Sequence, residues 1–298
     1  MLGGKRKMIY SVDSDYLIKK FGAPEAVKML FDAGFPAVDM GICGDYSFAL
    51  GANGRALAKR LRAEADARGK IFNQAHAPFG GGYENYTTKL IPTFPEVFEF
   101  ASILGVKTIV THPIQNGRYY GNEERLFEEN MRFYESIAPL ARDFGVKIAI
   151  ENMYNLHPVN KTRKVDDVCA DPYEHCRYFD ALNAPDLFTL CLDVGHVALC
   201  DREPEDSIRI LGRERLGALH VHDVNYISDM HTLPGTAKLN WEAICRSLGE
   251  IDYKGEFTLE AACFQYNFPL DFMPTVLKFM NDTAKMYSDK VDCYRKGK

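Results

Sequence analysis

The sequence lacks the motifs that define several common protein classes. None of its 8 cysteines belongs to a CxxC pair, which argues against a zinc-ribbon or dithiol motif. The N-terminal stretch MLGGKRKMIYSVDSDYL contains basic residues but no long apolar run, so it predicts neither a signal peptide nor a membrane span. We therefore expect reduced thiols, no membrane association and a cytoplasmic location.

An excess of positive charge is also absent. The 36 Lys and Arg residues are outnumbered by 41 Asp and Glu residues, and the net charge is −5. This balance gives no electrostatic reason to expect a nucleic-acid partner. The segment YSVDSDYL, which follows the start of the first predicted strand, contains no glycine-rich phosphate loop. Its absence argues against an open, dinucleotide-binding sheet.

Short apolar runs typical of strands alternate with longer runs that have helical periodicity. Strands are predicted at 7–12, 37–42, 71–78, 107–113, 147–152, 188–194, 216–224 and 255–261. Helices are predicted at 23–34, 54–69, 94–105, 123–145, 171–183, 203–212, 240–250 and 268–290. Strict alternation implies parallel strands with right-handed crossovers, and no linker interrupts it. The pattern predicts an α/β fold, a single (β/α)₈ TIM barrel in one domain spanning 1–298.

Ionisable residues occur where most of these strands end. They are His76, His112, Glu151, Asp193 with His196, His220 and Glu260, and the segment after the seventh strand adds Asp229 and His231. In a barrel the carboxyl ends of all strands meet at one mouth, where active sites lie. Gathering so many ionisable groups is costly unless a cation compensates them. The sequence therefore predicts a divalent-metal site at the mouth.

The other histidines receive different interpretations. His157 and His175 have polar neighbours in the sequence, and we expect both at the surface. His222 has the same strand parity as His220, and we expect it to orient a metal ligand. The segment FGGGYENYTTKL after the third strand is either a lid over a ligand or a plain surface loop.

The motifs AHAPF, VTHP, IAIEN, LCLDVGH, ALHVHDV and GEFTLEA resemble those of the xylose-isomerase-like superfamily of TIM barrels. That superfamily includes sugar-phosphate isomerases and epimerases, ketose 3-epimerases, inosose dehydratases and endonuclease-IV-type AP endonucleases. The resemblance implies one central divalent ion, Mn²⁺, Co²⁺, Mg²⁺ or Zn²⁺, with a mixed carboxylate and imidazole ligand set. The implied ligands are Glu151, Asp193, His220 and Glu260.

The same resemblance implies a reaction. In the epimerase-like members the metal polarises a sugar carbonyl and stabilises the enediolate formed when a carbon-bound proton leaves. Glu151 and Glu260 would be the acid/base pair. His76, His112 and His196 would bind substrate oxygens. The expected activity is that of a metal-dependent isomerase or epimerase acting on a small sugar, sugar phosphate or polyol.

Alternatives remain open at this stage. In the endonuclease-IV-like members the matched positions complete a three-metal cluster for phosphodiester hydrolysis, with these additional ligands: His76, His112, His196, Asp229 and His231. Few cations follow the first two strands, and DMHTLPGTAKLNW departs from the AP-endonuclease pattern. That segment has Ala237 where the sugar isomerases normally have glycine. An inosose-type dehydratase and a non-catalytic binding barrel are further alternatives, and the long last helix leaves a homo-oligomer open.

Overall fold

The computed structural model describes residues 7–80 and 82–295. Eight parallel strands form a barrel in the order β10-β1-β2-β3-β4-β5-β8-β9. The strands are β1 Tyr10–Asp13, β2 Ala37–Gly41, β3 Ile71–His76, β4 Thr108–Thr111, β5 Lys147–Glu151, β8 Phe188–Asp193, β9 Leu216–His220 and β10 Phe257–Leu259. A bridge between Val221 and Leu259 joins the two ends of the sheet. The predicted (β/α)₈ TIM barrel is therefore confirmed, whereas one domain over all of 1–298 stays a prediction.

Helices surround this barrel and connect its strands. They are α1 Asp15–Phe21, α2 Ala23–Asp32, α3 Gly51–Ala67, α4 Gly82–Asn85, α5 Ile91–Leu104, α6 Glu123–Phe144, α7 Pro172–Leu182, α8 Val194–Leu199, α9 Pro204–Arg215, α10 Trp241–Glu250, α11 Ala262–Gln265 and α12 Met273–Arg295. Gly105 and Gly145 end α5 and α6 in the left-handed region, as helix C-caps do. Among the described residues, no helix is long and apolar enough to cross a membrane.

Several short elements of the structure were not predicted. They are the helices α1, α4, α8 and α11, and a small antiparallel hairpin of β6 Tyr154–Leu156 and β7 Lys164–Asp166 that follows β5. The hairpin strands have three residues each and bury no apolar face, so periodicity carries no signal for them. The hairpin lies beside the barrel mouth.

The prediction of a surface position for His175 was wrong. His175 is fully buried on the inner face of α7, where its Nε2 lies 2.9 Å from the carbonyl oxygen of Ile150. Burial lowers the pKa of this imidazole to about 4, which keeps it neutral. His175 lies three residues from both Pro172 and Tyr178, which are buried on the same face of the helix. The prediction relied on its polar sequence neighbours and overlooked this spacing.

A layer of small side chains fills the barrel below its mouth. Val110, Ala149, Cys191 and Ala218 form a separate buried cluster inside the barrel. Alternate residues of a strand point to the same side, so a side chain two residues after each of these also points inward. This register is what brings the ionisable residues at the strand ends together above the cluster.

Candidate metal centre

The predicted central set lies together at the mouth of the barrel. Glu151, Asp193 and His220 end β5, β8 and β9, and Glu260 directly follows β10. Each offers one ligand atom, and these atoms all lie within 4.8 Å of one another. Nδ1 of His220 is 2.9 Å from Oε1 of Glu151 and 3.5 Å from Oε2 of Glu260. The arrangement is compact enough for one ion to contact all four groups.

A second group shares Glu151 with the central set. Nε2 of His112 lies 3.0 Å from Oε2 of Glu151, and Nε2 of His76 lies 3.4 Å from the same oxygen. The Nδ1 atom of His76 is 2.9 Å from the carbonyl oxygen of Ala77, which fixes the ring. Both imidazoles therefore present Nε2 to the shared carboxylate.

A third group lies next to Glu260 of the central set. His196, Asp229 and His231 offer ligand atoms within 4.8 Å of one another. Nε2 of His231 is 3.2 Å from Oδ2 of Asp229. Nδ1 of His196 is 2.8 Å from the carbonyl oxygen of Asn152, so Nε2 is the nitrogen left to face the group. The structure thus brings together all site residues that the sequence predicted, in three adjacent groups.

Asn152 and Asp39 support these residues and were missed by the sequence analysis. The side chain of Asn152 accepts a hydrogen bond from the Asp193 amide at 2.8 Å and donates one to the Asp193 carbonyl at 3.0 Å. Asp39, buried in the middle of β2, accepts a hydrogen bond from Gln74 and has Oδ2 3.7 Å from Nε2 of His220. The sequence signal that could have identified Asp39 is a carboxylate within the otherwise apolar run AVDMGI.

His222 also contacts the predicted ligands. Its Nε2 is 3.0 Å from both carboxylate oxygens of Asp193, and its ring stacks on His231 with centroids 4.0 Å apart. The His222 ring is fully buried, and it contacts a predicted ligand as we expected for an orienting residue. This approach requires glycine at position 195, because a Cβ there would lie 2.1 Å from Cε1 of His222.

The two glutamates of the centre have opposite electrostatic surroundings. Burial favours protonation of Glu151, but interactions with the imidazoles of His220 and His112 outweigh it and hold its pKa well below the usual range. Burial raises the pKa of Glu260, and the nearby His220 and His231 only partly offset it. Glu151 is 1% exposed and Glu260 is 19% exposed at the side chain. Glu260 is therefore the more accessible and more readily protonated of the two.

A cavity of about 470 Å³ lies over these residues. Its lining includes Phe79, Gln115, Tyr154 and Leu156 and seven ionisable residues of the mouth: His76, His112, Glu151, His196, Asp229, His231 and Glu260. The Phe79 ring stacks on His112 with centroids 3.9 Å apart, and the Tyr154 hydroxyl donates to Asp229 at 2.9 Å. Phe79 and Gly80 belong to the segment for which we considered a lid, and that role stays a prediction. The cavity suits a small polar molecule.

A buried carboxylate holds the segment that carries His231. Asp223 accepts hydrogen bonds from the amides of Gly235, Ala237 and Leu239 and from the indole of Trp241, at 2.8 to 3.0 Å. Ala237 does not have the positive φ found at Gly235, so an L-residue fits there without strain. Alanine in place of the usual glycine at position 237 is therefore compatible with the hydrogen bonds that hold this loop.

The fold and the site define a TIM barrel with a carboxylate–imidazole centre at its mouth. A sequence model of the xylose isomerase-like TIM barrel family matches residues 27–283, and the chain belongs to that family. Among curated proteins, the uncharacterised protein y4fM of Sinorhizobium fredii is 27% identical over 173 residues. That match covers 56% of this chain and 51% of y4fM, so it extends over only about half of the relative.

Solved structures show the same fold at low sequence identity. A D-tagatose 3-epimerase-like protein has a TM-score of 0.76 and 18% identity, covering 97% of this chain and 99% of its own. D-psicose 3-epimerase from Clostridium cellulolyticum H10, with D-tagatose, has a TM-score of 0.70 and 13% identity, covering 94% and 99%. An IolI protein with a bound zinc atom has a TM-score of 0.69 and 16% identity, covering 96% and 99%.

Proposed function

We propose that this protein is a metal-dependent epimerase or isomerase of a small sugar or polyol. The observation that carries the proposal is the convergence of Glu151, Asp193, His220 and Glu260 within 4.8 Å beneath a cavity of about 470 Å³. The names of the structural neighbours, sugar 3-epimerases among them, support the reaction class. A cytoplasmic location and assembly into a homo-oligomer stay predictions.

The side chains present fit a divalent ion. Oδ1 of Asp229 is buried without a hydrogen-bond partner among the described residues, and Oε2 of Glu151 faces Nε2 of both His112 and His76, atoms that can bind a metal together with it. Unpartnered buried carboxylate oxygens are costly, and a cation compensates them. Carboxylates with imidazoles suit Mn²⁺, Co²⁺, Zn²⁺ or Mg²⁺, and the zinc in the IolI neighbour supports such a site. Glu151, Asp193, His220 and Glu260 would hold the central ion.

The protein groups divide the proposed chemistry between them. Glu260, the more exposed carboxylate, takes the carbon-bound proton of the substrate at its carboxylate oxygen. In an isomerisation it returns this proton to the neighbouring carbon, whereas an epimerisation needs a second proton donor on the opposite face, for which Glu151 is the predicted residue. The Glu151 carboxylate lies within 3.9 Å of four imidazoles and is ionised before substrate binds, so in an isomerisation it contributes mainly negative charge and position. His112 and His196 line the cavity and bind substrate oxygens. A bound divalent ion would polarise the substrate carbonyl and thereby acidify the neighbouring C–H bond.

Solvent deuterium incorporation tests the proposal directly. The metal-loaded protein should exchange a carbon-bound proton in at least one member of a ketose panel, detected by NMR or mass spectrometry. Glu260→Gln should abolish exchange while leaving the fold intact. Glu242→Gln, on the outer helix α10, is the matched control and should exchange normally. Exchange at the wild-type rate in the Glu260 variant removes that residue from the mechanism, and no exchange with any ketose overturns the proposal.

A second candidate function is metal-dependent phosphodiester hydrolysis. The group of His196, Asp229 and His231 favours it, because a third ligand set beside the central one can complete a three-ion cluster. Three ions per chain and salt-dependent binding to an abasic-site duplex would support it. An inosose-type dehydratase shares the proton-abstraction step, and water loss from an inosose would identify it.

A further inference from the structure

A second cavity adjoins the mouth and is built from residues that the proposed mechanism does not use. It has a volume of about 320 Å³ and lies between the β6–β7 hairpin and the loop at 117–120. Asn155 and Leu156 line this cavity and also line the mouth cavity. We refer to it as the side cavity. These two residues form the boundary that the two cavities share.

The side cavity is lined by two cations that form no salt bridge among the described residues. Arg118 and Lys161 both line it, and neither has a carboxylate oxygen within 4.0 Å in the described parts of the chain. The acid of the cavity, Asp166, is already paired with both terminal nitrogens of Arg202, at 2.6 and 2.9 Å. Two positive charges therefore remain available, in a protein whose net charge is −5.

A neutral hydrogen-bond donor complements these cations. Nδ1 of His157 accepts hydrogen bonds from the amides of Val159 and Asn160, at 3.2 and 3.0 Å. The ring proton therefore resides on Nε2, and that N–H is a donor at a residue lining the side cavity. Arginine, lysine and an imidazole N–H are the groups with which proteins bind phosphate and carboxylate.

We propose that the side cavity binds the anionic end, phosphate or carboxylate, of an extended sugar whose reacting carbons lie in the mouth cavity. This proposal rests on the proposed function and narrows its substrate class to sugar phosphates or sugar acids. Tyr154 contacts Asp229 in the mouth, and His157 is three residues further along the chain. In an extended strand this corresponds to about 10 Å, so an open-chain substrate with a terminal anion spans the two cavities.

Binding measurements on the full-length, metal-loaded protein test the proposal. Isothermal titration with D-fructose, D-fructose 6-phosphate and D-glucuronate compares neutral, phosphate and carboxylate probes. The phosphorylated or the carboxylate probe should bind at least tenfold more tightly than fructose. Arg118→Gln with Lys161→Gln should abolish that preference and leave fructose affinity unchanged. Arg132→Gln, an exposed cation on α6, is the matched control and should retain it.

The variant comparison decides the outcome, since divalent ions at the mouth also attract phosphate. A preference that survives in the double variant, or no preference at all, overturns the proposal. Each single variant should lose at least threefold of the preference, which keeps the test valid if the double variant folds poorly. Binding of an abasic-site duplex that is lost in the double variant would also overturn it, in favour of a nucleic-acid phosphate. Exchange of a ketose without an anion preference refutes only the side cavity, whereas the predicted preference without exchange refutes only the proposed function.

Discussion

Replacing Gly195 by alanine should disturb the centre through His222. The added Cβ would lie 2.1, 2.5 and 2.8 Å from Cε1, Nε2 and Nδ1 of that ring. The ring cannot move freely, because it is fully buried, stacks on His231 and contacts both oxygens of Asp193. Overpacking of this kind costs about 1–3 kcal/mol. Loss of the contact with a charged group adds about 1.5–3 kcal/mol where it occurs.

We therefore expect Gly195→Ala to lower the free energy of unfolding by about 2–4 kcal/mol in urea denaturation with chelator present. Divalent-metal affinity should also fall, since both Asp193 and His231 depend on the displaced ring. The informative comparison uses His222→Ala as the background. Without the imidazole the clash is gone, and the added methyl group restricts the unfolded chain, which stabilises by up to about 1 kcal/mol. The same substitution should then be neutral or stabilising.

The double-mutant cycle gives a coupling free energy between positions 195 and 222 of at least about 2 kcal/mol. An equal loss of stability in both backgrounds would refute this reasoning, because the cost would then arise from the backbone and not from the ring. A wild-type stability for Gly195→Ala alone would refute it equally. Metal titration of the same four proteins shows whether the packing effect extends to the centre.

Three further substitutions test other parts of the account. Asp39→Asn should weaken divalent-metal binding about 10–100-fold, because Asp39 faces Nε2 of His220, the nitrogen directed away from Glu151. Calorimetric metal titration checks this, and an unchanged affinity contradicts it. His231→Ala should remove one ion from a multi-ion centre, measured as metal per chain, and wild-type stoichiometry would argue against the third group. Burial raises the pKa of Glu174 from 4.5 to about 7, so the folded protein holds an extra proton between these values and loses stability as pH rises through them. In Glu174→Gln, the free energy of unfolding should fall less with rising pH, by up to about 3 kcal/mol, as measured by urea unfolding at several pH values. A variant whose stability changes with pH in parallel with the wild type would contradict this.

The sequence contains most of the information that specifies the barrel. Each main strand is a short apolar run followed by a helical pattern, and parallel strands in that alternation have few other arrangements. The β6–β7 hairpin was not predicted because its strands are short and lack an apolar face. Its position beside the mouth depends on tertiary contacts, such as the hydrogen bond from Gln115 to the Tyr154 carbonyl oxygen at 3.0 Å.

Most of the predicted site residues could be placed together because they lie at equivalent ends of parallel strands, and His196, Asp229 and His231 lie in the segments that follow two of those strands. Their supporting residues could not, since those contacts join strands that are distant in the chain. Asp39 meets His220 only through the closure of the barrel, and Asn152 reaches Asp193 across the pairing of β5 with β8. The error at His175 has a local cause, because its neighbours are polar although its helical face is buried. Strand parity did anticipate that His222 lies near a predicted ligand.

Metal content per chain tests the central claim most directly, because the account requires the gathered carboxylates and imidazoles to bind divalent ions. Elemental analysis of the purified protein, after loading with Mn²⁺, Co²⁺ or Zn²⁺ and desalting, should give at least one tightly held ion per chain. Glu151 contributes to two of the three groups, so Glu151→Gln should lose the central ion and any ion shared with His76 and His112. Glu242→Gln should match the wild type. A wild-type protein that retains no divalent ion, or a Glu151 variant that retains the full complement, would contradict the account.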